Sequence, residues 1–210
     1  LKEDVNIKSF LKQNPSARIQ DSTSAKSLHL CELIRPKRIL DVCAGKGTKT
    51  KQLRNMFPDA FIAATEPNES RRKTLLDIGQ EQNITIYTSE TSGPSEPFDL
   101  VIVDVPCSNS GVFARRPEAK YRYTENTIKS LVELQREILK QSFEVLDKNG
   151  YLLYSTCSID QNENEYQVNW LIEKYNLNLL NRITTLPRGI PGDTKNRWND
   201  GGFAALLSKK

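Results

Sequence analysis

A parallel β-sheet covered by helices on both faces, an α/β fold, is what this sequence predicts, and three observations predict it. Short apolar runs alternate with longer amphipathic ones along the chain. The apolar runs read as strands buried on both sides, with the β-branched enrichment that such strands favour. The strand-to-helix spacing is that of successive βαβ units.

Taken in order, a helix over residues 24–34 precedes the first strand, 38–43, which follows the breaker Pro36. A short helix over 48–57 leads past Pro58 to a second strand at 60–65. Helix 69–80 opens with acidic Glu69 and is followed by a third strand at 84–87. Residues 88–98 are a turn-rich loop. Leu100-Val101-Ile102-Val103-Asp104 is the clearest strand, stopped by Pro106. The longest helix, 125–146, places Ile128, Leu131, Val132, Gln135, Ile138, Leu139 and Phe143 at three- and four-residue spacing. The turn Lys148-Asn149-Gly150 launches a fifth strand at 151–155. Helix 163–175 carries Tyr166, Trp170 and Leu171 on one side, and a sixth strand follows at 177–184. Loop 186–202 and a last strand at 203–207 close the chain. No internal repeat or low-complexity segment divides it, so residues 20–210 read as one domain and residues 1–19 as an N-terminal extension.

Composition narrows the function classes. The 210 residues carry 30 Lys and Arg against 26 Asp and Glu, a net charge of +4 with a pI near 8.8. That balance admits an anionic partner without demanding one. No run is long and apolar enough to cross a membrane, and the N-terminus lacks the apolar core of a signal peptide. Four cysteines, Cys31, Cys43, Cys107 and Cys157, form no CxxC pair, and His29 is the single histidine; this argues against zinc or any other metal site and for reduced thiols in a cytoplasmic protein. The sole methionine is Met56, so the chain reads as a piece of something longer.

Ligands of a parallel sheet bind beyond the carboxyl ends of its strands, which singles out four segments. The first, Asp41 to Thr48, is a glycine-containing strand-to-helix turn in which Cys43, Ala44, Gly45, Lys46 and Gly47 bring backbone close to a ligand. It matches neither GxGxxG nor the GxxxxGK[ST] phosphate loop, which weakens the dinucleotide and ATP readings. Glu66 ends the second strand about 20 residues later, where a carboxylate holds ribose hydroxyls. Together they favour an adenosine-containing cofactor, without saying which. The other two segments end in Asp104-Val105-Pro106-Cys107 and Ser155-Thr156-Cys157-Ser158. Cys31 and Cys43 read as packing residues, whereas Cys107 and Cys157 sit in polar strand ends where a thiolate meets a ligand. Two thiols and a carboxylate suit covalent attack on an electrophilic ring. A papain-like arrangement is disfavoured because His29 lies in a helical segment away from both strand ends.

Phe98 to Ser108, with Gly111 and Arg115-Arg116-Pro117-Glu118, resembles the signature of the RNA (cytosine-5)-methyltransferases, the Nol1/Nop2/Sun family, with its bacterial ribosomal small-subunit branch the nearest. Ser155-Thr156-Cys157-Ser158-Ile159 with Glu163-Asn164-Glu165 is similar to that family's second cysteine motif. Gln20-Asp21 and Asp200-Gly201-Gly202-Phe203-Ala204-Ala205 match as well, so the likeness spans residues 20–207. It implies a Rossmann-like, mostly parallel seven-stranded sheet with an antiparallel last strand, and S-adenosylmethionine as methyl donor. It further implies that Cys157 adds to cytosine C6, that Cys107 aids release, that Asp104 holds the cytosine edge and touches the cofactor, and that Lys49 orients groups at the site. The cofactor is expected against Cys43–Gly47, with Glu66 on its ribose and Glu90 near the adenine.

Departures stand in the glycine turn, which the family usually writes CAAPGGKT, among them Lys46 for a proline and Thr48 for a glycine, and Asn109 replaces the small residue usual after the first cysteine motif. Arg115, Arg116, Lys120 and Arg122, interleaved with Tyr121 and Tyr123, are expected to bind RNA, ribosomal RNA being the expected class, with the protein a monomer. Residues 1–19 then read as the tail of an RNA-binding region. Two rival readings stay open here: a methyltransferase for DNA or a small molecule, and an RNA-binding or assembly protein that keeps the fold without turnover.

Overall fold

The computed structural model describes residues 6–14, 20–88, 94, 96–190 and 198–209. A short helix, α1 (Ile7–Gln13), lies in the N-terminal extension and was not legible as a helix in the sequence. The predicted helix over 24–34 forms as two turns of different pitch, α2 (Ser22–Lys26) and a 3-10 turn over Ser27–Cys31; Asp21 caps α2 by accepting from the Thr23 and Ser24 amides. Then follow β1 (Arg38–Val42), α3 (Thr48–Met56), β2 (Phe61–Thr65), α4 (Glu69–Gln82), β3 (Thr85–Tyr87) and β4 (Phe98–Asp104). The chain continues through α5 (Glu125–Glu144), β5 (Leu146–Thr156), α6 (Glu165–Tyr175), β6 (Leu177–Thr185) and β7 (Gly202–Lys209).

The strands form one seven-stranded sheet in the order β3-β2-β1-β4-β5-β7-β6. The first five are parallel, and β7 inserts antiparallel between β5 and β6, so the expected antiparallel last strand is present. β5 starts earlier than the sequence suggests. Phe98 pairs with Leu146 and Leu100 with Tyr151, so the Lys148-Asn149-Gly150 turn is a bulge within a longer strand.

Successive residues of a strand face opposite sides, and both sides are covered. Ile39, Ile62, Leu100, Ile102 and Leu153 pack with Leu53 of α3 and Leu75 of α4 in one core. Leu40, Ala63, Val101, Val103 and Leu152 pack with Leu139 of α5 and Leu171 of α6 in the other. This is why the strands read as continuous apolar runs. Gly47 is required where β1 turns into α3: its φ is +80°, and a Cβ there would stand 2.9 Å from Ile78 Cδ1.

Candidate active site

All four singled-out segments lie along the carboxyl edge of β2, β1, β4 and β5, which are neighbours in the sheet. At the β1–β2 end the backbone shapes the site. Cys43 and Gly45 adopt positive φ, 62° and 61°, and the Ala44 amide donates to Thr65 O at 2.9 Å. Glu66 is buried; it accepts from the Gly45 amide at 2.8 Å and the Asn68 amide at 2.8 Å, and Arg71 Nη2 stands 3.1 Å away. A Cβ on Gly45 would meet no atom within 4 Å, so open space adjoins this turn. Beneath it Asp41 is wholly buried. Thr50 Oγ1 donates to its Oδ2 at 2.6 Å, its Oδ1 has no partner, and burial pushes its carboxyl up to about 7.

The β4–β5 end is built from side chains. Lys49, almost fully buried on α3, reaches across to Asp104 Oδ2 at 2.6 Å, and Ser155 Oγ donates to Asp104 Oδ1 at 2.7 Å. Cys107 Sγ and Cys157 Sγ are 3.1 Å apart, within sulfur hydrogen-bond distance. The thiols are inequivalent. The hydrogen bond from Cys107 holds the Cys157 thiol below its ordinary value, with the Lys49 and Arg116 charges acting in the same sense against burial and Asp104. The same bond, burial and the Glu163 charge push Cys107 well above its own. The pair is thus biased to keep its shared proton on Cys107 rather than on Cys157. Asn109, in the left-handed conformation, contacts Cys157 Sγ through Oδ1 at 3.2 Å and donates from Nδ2 to Cys107 O at 2.9 Å. Cys31 and Cys43 are both pushed up to about 12 by burial, as packing cysteines are.

A cleft of about 170 Å³ opens beside the thiols, bordered by Lys49, Asp104, Asn109, Arg115, Arg116 and Cys157. Of the four expected RNA-binding cations, two therefore border the cleft. Arg115 is also tied by Nε, at 3.0 Å, and by Nη2 to the buried carboxylate of Asp200. Lys120 and Arg122 lie exposed on the 3-10 turn Pro117–Arg122 and do not border it. Tyr121 is 89% exposed, whereas Tyr123 donates its hydroxyl to Asp160 Oδ2 at 2.6 Å and stacks edge-on against Phe113. Lys46 stands in the glycine turn, and Glu90 lies outside the described residues.

Sequence reading missed the groups that hold the two cysteine loops together. Gly111 donates its amide to Cys157 O at 3.0 Å and accepts from the Gly201 amide at 2.7 Å; a Cβ there would stand 2.7 Å from Gly201 O. Gly111 and Asp200-Gly201 were visible as motif residues, but their meeting is a fact of tertiary packing. Ser108, Ser110, Ser158, Glu163 and Gln135 form a buried polar network behind the thiols. Burial of so many hydroxyl and amide groups has no periodic signal in a single sequence. Among the described residues no cluster suits a metal ion, and no helix is long and apolar enough to cross a membrane.

The strand order, the glycine turn with its carboxylate and the crossed antiparallel last strand define a Rossmann-like methyltransferase of the S-adenosylmethionine-dependent class. Residues 28–197 match the model of the family described as 16S rRNA methyltransferase RsmB/F, and the chain belongs to that family. It is 32% identical over 200 residues to ribosomal RNA small subunit methyltransferase B of Photorhabdus laumondii, covering 91% of this chain and 47% of that protein. It is similar to the solved structure of PH0851, at a TM-score of 0.77 and 26% identity, over 98% of this chain and 50% of that one. The fold is also that of NSun6 from Pyrococcus horikoshii, at a TM-score of 0.71 and 22% identity, over 90% of this chain and 52% of that one. The chain thus spans about half the length of the curated relatives it matches.

Proposed function

We propose that this chain transfers a methyl group from S-adenosylmethionine to C5 of a cytosine in RNA, ribosomal RNA being the substrate class, through a covalent bond between Cys157 and cytosine C6. The observation that carries the reading is the thiol pair, 3.1 Å apart, with Cys157 lowered on the Lys49 side and Cys107 raised. Cytosine C5 is a poor nucleophile on its own. Addition of the Cys157 thiolate at C6 places electron density on C5, and Asp104, held by Lys49 and Ser155, is the acceptor set at the mouth of the site for the cytosine edge. After methyl transfer a solvent base takes the C5 proton, the C5–H electron pair re-forms the C5–C6 double bond, and the Sγ–C6 bond breaks with its pair returning to Cys157 as thiolate. Cys107, the thiol that retains its proton, serves that release by donating its S–H to the departing Cys157 sulfur, 3.1 Å away.

S-adenosylmethionine supplies an electrophilic methyl group on sulfur. The residues present suit its binding: Gly45 borders open space, and Glu66 stands beside it as a buried carboxylate that holds the turn in shape through the Gly45 amide. Arg115 and Arg116, beside the cleft, supply positive charge for the phosphates of an everted nucleotide. The same placement favours an enzyme over a turnover-free binding protein, because a binding role gives no reason for two adjacent half-buried thiols of opposite bias.

The test is a denaturing gel of Cys107→Ala with bacterial small-subunit ribosomal RNA and S-adenosylmethionine. A slow-migrating protein–RNA adduct is expected, absent from Cys107→Ala/Cys157→Ala. The single variant Cys157→Ala should bind the cofactor and transfer no methyl group. Retained turnover in Cys157→Ala would remove it as nucleophile, and equal adduct with DNA of the same sequence would remove RNA as the substrate.

A further inference from the structure

The mechanism above gives Glu163 no task. Glu163 is fully buried ahead of α6, and no lysine or arginine pairs with it among the described residues. An unpaired interior carboxylate costs several kcal/mol unless donors surround it, and an apolar residue would fill the space more cheaply. Its donors all come from the Cys107 loop or brace that loop. The Ser108 amide donates at 2.9 Å and Ser108 Oγ at 2.5 Å. Gln135 Nε2 on α5 donates at 3.0 Å and also reaches Pro106 O at 3.1 Å. The residues on both sides of Cys107 are thereby pinned. Across the gap, Ser108 Oγ meets Ser158 Oγ at 3.2 Å, which ties the clamp to the residue following Cys157. Tyr154 on β5 donates to the Glu163 carbonyl and fixes the clamp's own backbone.

We propose that Glu163 is a positioning residue for product release: its carboxylate clamps Ser108 and so holds the Cys107 thiol against Cys157. Placement within about half an ångström decides whether one sulfur can serve the other, and a reacting side chain has that accuracy only when its neighbours are locked. The carboxylate lies on the Cys107 side of the pair and the Lys49 and Arg116 cations act on the Cys157 side, so the clamp also keeps the proton on Cys107. This inference rests on the release role given to Cys107 above.

A purely structural Glu163 and a positioning one differ in which step fails. Loss of Cys107 alignment slows release and leaves addition intact, so the covalent intermediate accumulates. Glu163→Ala is therefore expected to turn over about 10- to 100-fold more slowly, the usual range when an orienting partner is lost, while trapping protein–RNA adduct at a level approaching Cys107→Ala. Glu163→Gln keeps one oxygen for the Ser108 amide and should fall between Glu163→Ala and the parent. Ser108→Ala retains the amide bond, removes only the hydroxyl, and should show a smaller accumulation of the same kind. Calorimetric titration with S-adenosylmethionine, expected unchanged, reports that each variant is folded. If turnover and adduct fall together in Glu163→Ala and Ser108→Ala, the residue is structural and the inference fails. Unchanged turnover in both also overturns it. If Cys107→Ala itself traps no adduct, the release role of Cys107 falls, and the inference falls with its premise rather than on Glu163.

Discussion

The two halves of the site are made of different material. Around Gly45 and Glu66 the contacts run from main-chain amides to a carboxylate, and positive-φ residues set the shape. Around Cys107 and Cys157 the contacts run between side chains, backed by buried serines, Gln135 and Glu163. A surface formed by backbone tolerates changes of side chain, and the departures Lys46 and Thr48 from the family's usual turn fall there. A surface formed by side chains tolerates less: both cysteines there stand as the resembled family writes them, and the one departure, Asn109, contacts Cys157 Sγ.

The sharpest way to break that comparison is to add one carbon at each end. Gly111→Ala drives a Cβ into backbone, 2.7 Å from Gly201 O and 2.8 Å from Cys157 O, where neither neighbour is a flexible side-chain tip. A loss on the order of 4 kcal/mol is expected, at the upper end for overpacking, because three loops must part. Gly45→Ala meets open space and carries only the left-handed penalty of about 1 kcal/mol. Urea titration of the two variants checks this, and equal losses would show that the thiol end is no more tightly built than the cofactor turn.

Asp41 is the exception on the backbone-built side, and pH exposes it. Burial raises its carboxyl from an ordinary 3.8 to about 7, so between those values the folded chain keeps a proton that the unfolded chain has released. Its contribution to stability is therefore full below about pH 4 and is lost as pH rises through 7. Asp41→Asn cannot ionise, and its amide oxygen still accepts from Thr50. The variant is expected to match the parent near pH 4 and to exceed it above pH 7 by on the order of 4 kcal/mol. Denaturant midpoints across that range measure it; a difference independent of pH would mean that the Asp41 carboxyl is not what titrates.

The legible part of this protein was what repeats or ends abruptly. Seven strands, the long helix α5 and the four strand-end segments follow from apolar runs, three- and four-residue spacing, and breakers at Pro36, Pro58 and Pro106. Strand ends predict a site because a parallel sheet aligns them, so Asp104, Cys107 and Cys157 lie along one edge, whereas Lys49, on α3, was expected beside them only from the family resemblance. Hidden were contacts between segments distant in sequence. Asp200 meets Arg115 across 85 positions, and Glu163 meets Ser108 across 55. Nothing local marks a glutamate as buried rather than solvated. Likewise Arg115 to Arg122 reads as one basic stretch, yet a 3-10 turn divides it into two residues at the cleft and two away from it.

The smallest expected effect sharpens the comparison from the cofactor side. Glu66→Ala removes the acceptor of the Gly45 and Asn68 amides and the partner of Arg71. Gly45 adjoins open space, so water can replace the lost bond there and the turn should keep its shape. What water cannot replace is the fixed, buried carboxylate that the proposed binding mode sets against the ribose. Affinity for S-adenosylmethionine should then fall by about 2 kcal/mol, roughly 30-fold, with little change in the urea midpoint. Glu66→Gln, which keeps the shape and one accepting oxygen, should lose about half as much. Calorimetry separates the possibilities. Unchanged affinity would leave Glu66 as a brace for the turn, and the cofactor end would then be a surface of backbone alone.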